Sequence, residues 1–111
     1  MKVLFALVCL ASLWVLFSPG SDTPSVAISD KLVHATLFGA LALTGALTGA
    51  PYVVLAPALV AYAGISEVLQ ATLPIDRDGD WHDALADTIG TVIGLLLALA
   101  WLRFRGRRVA P

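Results

Sequence analysis

Ionisable side chains recur at helical spacing inside otherwise apolar stretches of this chain. His34 lies in one stretch, Glu67 precedes Gln70 by three residues in the next, and Asp83 precedes Asp87 by four in the last. Residues three or four apart share one face of a helix, so each pair points in one direction. Imidazole and carboxylate groups are the usual general acids and bases of enzymes. They also bind charged or hydroxylated headgroups, so the sequence carries candidates for catalysis or for recognition.

Apolar segments of helical length must hold these side chains in place. Hydrophobic residues make up 59% of the 111 residues and charged residues 14%, whereas a soluble domain has about 45–50% and about 25%. A transmembrane helix needs about 20 apolar residues, and it closes its backbone hydrogen bonds internally. We therefore predict one domain over residues 1–111, an all-α integral membrane four-helix bundle. The predicted spans are about 3–20, 31–49, 51–72 and 84–102.

The polar side chains lie near one end of each of the last three predicted spans. Ionisable groups inside a membrane face other helices or water rather than lipid, so we expect these groups to converge at one depth. Arg77, in the polar loop before the last span, can fold over them. The predicted ligand-binding residues are Lys31, His34, Glu67, Gln70, Arg77, Asp83 and Asp87. His34, Glu67 and Asp83 are also candidate catalytic residues, although the sequence leaves catalysis itself open.

Glycines spaced four apart predict close helix packing in two of the spans. Gly45 and Gly49 form one small-x-x-x-small pattern, and Gly90 and Gly94 form another on the same face as the acids. Such patterns let the backbones of membrane helices approach closely. The same faces can also join protomers, so a homo-oligomer is one possible assembly.

Basic residues mark the side of the membrane on which the chain ends lie. Lysine and arginine are enriched on the cytoplasmic side, and five of the seven lie at the two ends of the chain. These five are Lys2, Arg103, Arg105, Arg107 and Arg108. We therefore predict cytoplasmic termini and a multi-pass protein of the bacterial inner membrane, with all eight acids on the outer side. The net charge of −1 gives no global basic field for nucleic acid.

The first segment has two interpretations. Met1 and Lys2 followed by an apolar run are typical of a signal peptide, yet no clean A-x-A cleavage pattern follows. A retained first helix is favoured, and a cleaved one would leave three spans. The single cysteine, Cys9, excludes a disulfide within the chain and a multi-cysteine metal site.

Three motifs in order resemble the signature of VanZ-like membrane proteins over about residues 30–94. The motifs are Asp30-Lys31-x-x-His34 with Phe38 and Gly39, Glu67-x-x-Gln70 with Pro74 and Arg77, and Asp83-x-x-x-Asp87-x-x-Gly90-x-x-x-Gly94. The resemblance implies a four-helix membrane fold and a role in the cell envelope. The family is named for an accessory protein that raises resistance to the lipoglycopeptide teicoplanin. One position departs from the family, which usually carries Asn where this chain has Asp87.

Two functions of different classes follow from these residues. In the first, an outward-facing polar cleft binds a lipid headgroup, a lipid-linked wall precursor or a lipoglycopeptide, with Lys31 and Arg77 meeting phosphate or carboxylate. In the second, His34 pairs with Glu67 or Asp83 for acid–base chemistry on a headgroup. We predict no cofactor and no metal, because no compact motif such as H-E-x-x-H is present; a divalent ion held by the histidine and the acids is the weaker variant. A proton relay is disfavoured, because nothing ionisable continues through the inner half.

Overall fold

The computed structural model describes residues 1–17, 27–73 and 81–109, and these residues form four α-helices with no strand among them. The helices are α1 (Lys2–Phe17), α2 (Ala27–Leu47), α3 (Tyr52–Thr72) and α4 (Trp81–Val109). The described part of the chain therefore confirms the prediction of an all-α protein with four helices.

Two helices extend beyond the segments predicted from hydrophobicity. α2 begins at Ala27, before the predicted residue 31. α4 continues to Val109, past the predicted residue 102. Its tail contains several arginines, and arginine is a strong helix former. Apolar content thus underestimates how far these two helices extend.

The turn between α2 and α3 is set by a glycine. Gly49 has a φ of 94°, in the left-handed region where residues with a side chain are strained. Its amide donates to the carbonyl of Ala46 over 3.1 Å, which satisfies one of the last carbonyls of α2. Pro51 then precedes the first residue of α3 in an extended conformation. This short turn makes α2 and α3 neighbours that run in opposite directions.

Side-chain hydrogen bonds show that α1 and α3 run in the same direction. The hydroxyls of Ser12 and Tyr62 lie 2.8 Å apart. Further along both helices, one turn on α1 and two turns on α3, Gln70 Nε2 donates to the carbonyl of Leu16 over 2.7 Å. Leu16 lies in the last turn of α1, where carbonyls have no partner within the helix. The Gln70 amide therefore caps the end of α1.

α2 and α4 run opposite to α1 and α3. A Cβ built on Gly45, near the end of α2, would lie 3.1 Å from the Phe5 ring at the start of α1 and 2.9 Å from Leu55 at the start of α3. The Tyr52 hydroxyl at the start of α3 donates to the carbonyl of Leu95, in the second half of α4, over 3.2 Å. The four helices therefore alternate in direction, and the first residues of α1 share one end of the bundle with the last residues of α4.

The surface of the bundle is apolar and much of its interior is polar. Large aliphatic side chains are exposed on every helix, including Val3, Leu32, Val53 (79% exposed) and Leu96. The buried polar and charged residues are Ser12, His34, Thr44, Ser66, Glu67, Gln70, Asp83, Asp87 and Thr91. Soluble monomers rarely expose large contiguous apolar surfaces, whereas membrane proteins turn ionisable residues inward.

Two of the described helices are long and apolar enough to cross a membrane. These are the segments Tyr52–Thr72 and Trp81–Gly106, while the apolar helices Lys2–Phe17 and Lys31–Leu47 are shorter. Only about 28% of each long segment is buried inside the bundle. Their exposed apolar residues are therefore available to lipid.

Candidate functional site

The candidate site depends on a very close approach of α2 to α4, the most extensive helix pair in the fold. A Cβ built on Gly90 would overlap the carbonyl oxygen of Ala35 and lie 2.8 Å from that residue's Cα. A Cβ on Gly94 would likewise overlap the carbonyl oxygen of Gly39. Only glycine fits these two positions of α4, so the backbones of the two parallel helices are in contact.

This approach brings one histidine and one aspartate together at the same depth. His34 Nδ1 and Asp87 Oδ1 lie 2.7 Å apart in a buried hydrogen bond. The His34 side chain is 1% exposed and the Asp87 side chain is fully buried. Such a bond fixes the orientation of the imidazole ring, with Nδ1 toward Asp87 and Nε2 toward the other side of the ring.

An ion pair lies one turn nearer the end of the bundle. Lys31 Nζ is 3.0 Å from Asp83 Oδ1, and the Lys31 side chain is 38% exposed. The other oxygen of Asp83, Oδ2, is 3.9 Å from His34 Nε2. Asp83 also lies in the first turn of α4, where the helix dipole favours a negative charge. Lys31 and Asp83 therefore form a partly exposed entrance above the buried histidine.

Glu67 of α3 completes the buried group. It is 9% exposed, and one ligating atom from each of His34, Glu67 and Asp87 lies within 4.8 Å of the others. We call these three residues the buried triad. Three different helices thus contribute to one small volume, which makes the triad sensitive to the relative position of all three.

The predicted site residues are therefore brought together only in part. Lys31, His34, Glu67, Asp83 and Asp87 are neighbours, whereas Gln70 directs its amide nitrogen to Leu16 at the α1 end. His34 is hydrogen-bonded to Asp87 at 2.7 Å and lies 3.9 Å from Asp83, whereas Glu67 and Asp83 were the partners expected from the sequence. Arg77 lies outside the described residues.

Three of the four predicted packing glycines lie against other helices, and the fourth does not. Gly90 and Gly94 lie against α2, and Gly45 lies against α1 and α3. Gly49 has nothing within 4 Å of a built Cβ, and its positive φ places it in the turn. Gly49 is therefore a helix-ending glycine rather than a packing residue of this bundle.

Sequence reasoning missed the partner surface of Gly90 and Gly94. That surface is formed by Ala35 and Gly39, which are themselves a small-x-x-x-small pair on α2. The same spacing rule that singled out the glycines of α4 would have identified them.

An apolar groove runs along the outer side of α2 below the entrance. It has a volume of about 400 Å³ and is lined by Val8 and Ala11 of α1 and by α2 residues from Leu32 to Ala40. Thr36 contributes a hydroxyl group to its lining. Leu32 directly follows Lys31, so the upper end of the groove lies at about the depth of the ion pair, on a different face of α2.

Comparison with known proteins places the chain in a family. A search of curated proteins and a search of solved structures each returned no significant match. The family described as VanZ/LLP1 matches residues 3–103, which span all four helices. Together with the two long apolar helices, this match indicates a membrane protein and confirms the resemblance found in the sequence motifs. The chain belongs to the VanZ/LLP1 family.

Proposed function

We propose that the chain is a multi-pass membrane protein of the cell envelope that binds a lipid headgroup at the outer end of its bundle. The single observation that carries this proposal is the Lys31–Asp83 ion pair, a partly exposed pair of opposite charges that lies above the buried triad, at the depth where the apolar groove on α2 begins. An amphiphile needs a charged contact for its head and an apolar contact for its tail. The ion pair offers the first, and the groove, which begins at a similar depth on another face of α2, offers the second.

The proposed topology follows from where the basic residues lie. Lys2 and Arg103 are exposed at the end of the bundle opposite the Lys31–Asp83 pair. Basic residues favour the cytoplasmic side, so the entrance faces outward and both termini face the cytoplasm. Family membership supports the envelope role, since the VanZ-like resemblance associates such chains with resistance to a lipoglycopeptide.

The chemistry of the entrance favours a headgroup that carries charges of both signs. Lys31 offers an ammonium donor to a phosphate, and Asp83 offers a carboxylate acceptor to an amine or a sugar hydroxyl. A bound headgroup of this kind replaces the ion pair with two new charge-assisted contacts. One acyl chain then follows α2 through the groove beside Thr36. Phosphatidylethanolamine has this combination of groups, as do amine-bearing lipid-linked wall precursors and lipoglycopeptides.

Lipid binding by the purified protein tests the proposal. The protein in mild detergent is incubated with phosphatidylethanolamine, and the retained lipid is measured by native mass spectrometry. Lys31→Gln removes a charge-assisted contact worth about 1.5–3 kcal/mol, so the retained lipid is expected to fall about tenfold or more. Lys2→Gln is the matched control, because Lys2 is the other lysine of the chain and lies at the opposite end. Equal retention by both variants contradicts the proposal.

A second candidate function is a membrane-embedded enzyme that acts on the same headgroup. The observation that favours it is the 2.7 Å contact between His34 and Asp87, which orients an imidazole as a general base. Lipids extracted from cells with and without the protein distinguish the two functions by mass spectrometry. A binding protein leaves the set of lipid species unchanged, whereas an enzyme produces a new species that disappears with His34→Asn.

A phenotype in cells tests whether the buried acid has a functional role. Glu67→Gln keeps the shape of the side chain and removes its charge. We expect the variant to accumulate in the membrane but to lose any envelope phenotype, such as altered sensitivity to a lipoglycopeptide. A normal phenotype in both Glu67→Gln and His34→Ala would assign these two residues to structure alone.

A further inference from the structure

We propose that the buried triad is a binding site for one divalent transition-metal ion of the Zn²⁺ or Mn²⁺ class. His34, Glu67 and Asp87 belong to α2, α3 and α4 respectively, and each presents a ligating atom within 4.8 Å of the others. This proposal goes beyond headgroup binding and does not depend on it, since the triad lies beneath the entrance.

The set of side chains suits this class of ion. One imidazole nitrogen and two carboxylate oxygens are ligands of Zn²⁺ and Mn²⁺, whereas Mg²⁺ and Ca²⁺ favour oxygen alone. Metal–ligand distances of about 2.0–2.2 Å allow ligand atoms of one ion to lie up to about 4.4 Å apart. Small side-chain rotations would therefore bring ligand atoms that lie within 4.8 Å of one another close enough to bind one ion.

The hydrogen bond within the triad is compatible with ligation. Asp87 uses Oδ1 to contact His34 Nδ1, and its second oxygen, Oδ2, is buried as well. Carboxylates that hold one nitrogen of a ligating histidine fix the ring and raise its basicity. His34 Nε2 and Glu67 then face the ion, and Asp87 either ligates through Oδ2 or supports the histidine.

Metal analysis of the purified chain tests the site. The protein is expressed with added Zn²⁺ or Mn²⁺, washed without chelator and analysed by elemental mass spectrometry. We expect about one ion per chain in the wild type and a loss of at least about tenfold in His34→Ala and Glu67→Gln. His82→Ala is the matched control, since His82 is the other histidine of the chain and is exposed beside Trp81. It is expected to retain the ion.

Titration of the wild type keeps the test independent of whether a variant folds. Chelator-treated wild-type protein is titrated with Co²⁺, whose visible absorption reports an ordered nitrogen and oxygen ligand field. Saturable binding that is displaced by Zn²⁺ supports the site. Absence of such binding, or equal ion content in Glu67→Gln and His82→Ala, overturns it and leaves the triad as a hydrogen-bonded cluster. Headgroup retention in the Lys31 experiment is unaffected by that result, so failure of either proposal is recognised separately.

Discussion

Replacement of Gly90 by alanine tests whether the α2–α4 contact holds the site together. The added methyl group would overlap the carbonyl oxygen of Ala35 and lie 2.8 Å from its Cα. Both are backbone atoms, so no side-chain rotation relieves the overlap. The two helices must move apart.

The size of the effect follows from that geometry. Ordinary contact with a Cβ begins near 3.4 Å, so the helices must separate by roughly 0.6 Å or more around Gly90, and a gap of this size forfeits about a quarter to a half of the dispersion energy of each contact. Forcing a methyl group into a packed interior costs about 1–3 kcal/mol. We expect Gly90→Ala to lower the free energy of unfolding by about 2 kcal/mol. Because Asp87 lies one turn away on α4, its 2.7 Å contact with His34 is expected to lengthen.

Unfolding in mixed detergent micelles measures the change, with circular dichroism as the signal. The matched control is Gly64→Ala on α3, where a built Cβ meets nothing within 4 Å. Alanine is a better helix former than glycine by about 0.8–1.0 kcal/mol, so this control should be neutral or slightly stabilised. Equal stability of the two variants, or a Gly90→Ala protein as stable as the wild type, would refute the close approach of the helices.

Two other hydrogen bonds and one backbone conformation give further predictions. Gln70→Leu removes the side-chain cap on the Leu16 carbonyl and is expected to lower the free energy of unfolding by about 1–2 kcal/mol in the same micelle assay. Gly49→Ala places a side chain at a φ of 94°, and the resulting strain should destabilise the protein by about 1–2 kcal/mol. A double-mutant cycle of Ser12→Ala and Tyr62→Phe should give a coupling of about 0.5–1.5 kcal/mol for their 2.8 Å hydrogen bond; additive effects would contradict it.

Much of the fold was predictable because lipid imposes few choices on a chain. Long apolar segments predict helices, and polar groups inside them predict an inward face. The positions of His34, Glu67 and Asp87 near one end of their helices followed from counting residues. Their convergence was therefore expected, and the structure brings the three within 4.8 Å.

The pairing within the site was not predictable from side-chain patterns alone. The partner of His34 depends on the axial offset between α2 and α4, which the contact of Ala35 with Gly90 sets. Gln70 was expected to take part in the binding site, yet its amide nitrogen donates to the Leu16 carbonyl. That carbonyl lies in the last described turn of α1, and a backbone acceptor of this kind leaves no trace in the spacing of polar residues.

The membrane topology is the measurement that tests the account most directly, because the outward-facing entrance depends on it. Single cysteines are introduced as Leu73→Cys, after α3, and Gly106→Cys, near the end of α4, in a Cys9→Ala background. Intact cells are treated with a membrane-impermeant maleimide. The account predicts labelling of Leu73→Cys in intact cells and of Gly106→Cys only after permeabilisation. Labelling of Gly106→Cys alone in intact cells, or protection of Leu73→Cys until permeabilisation, would contradict it.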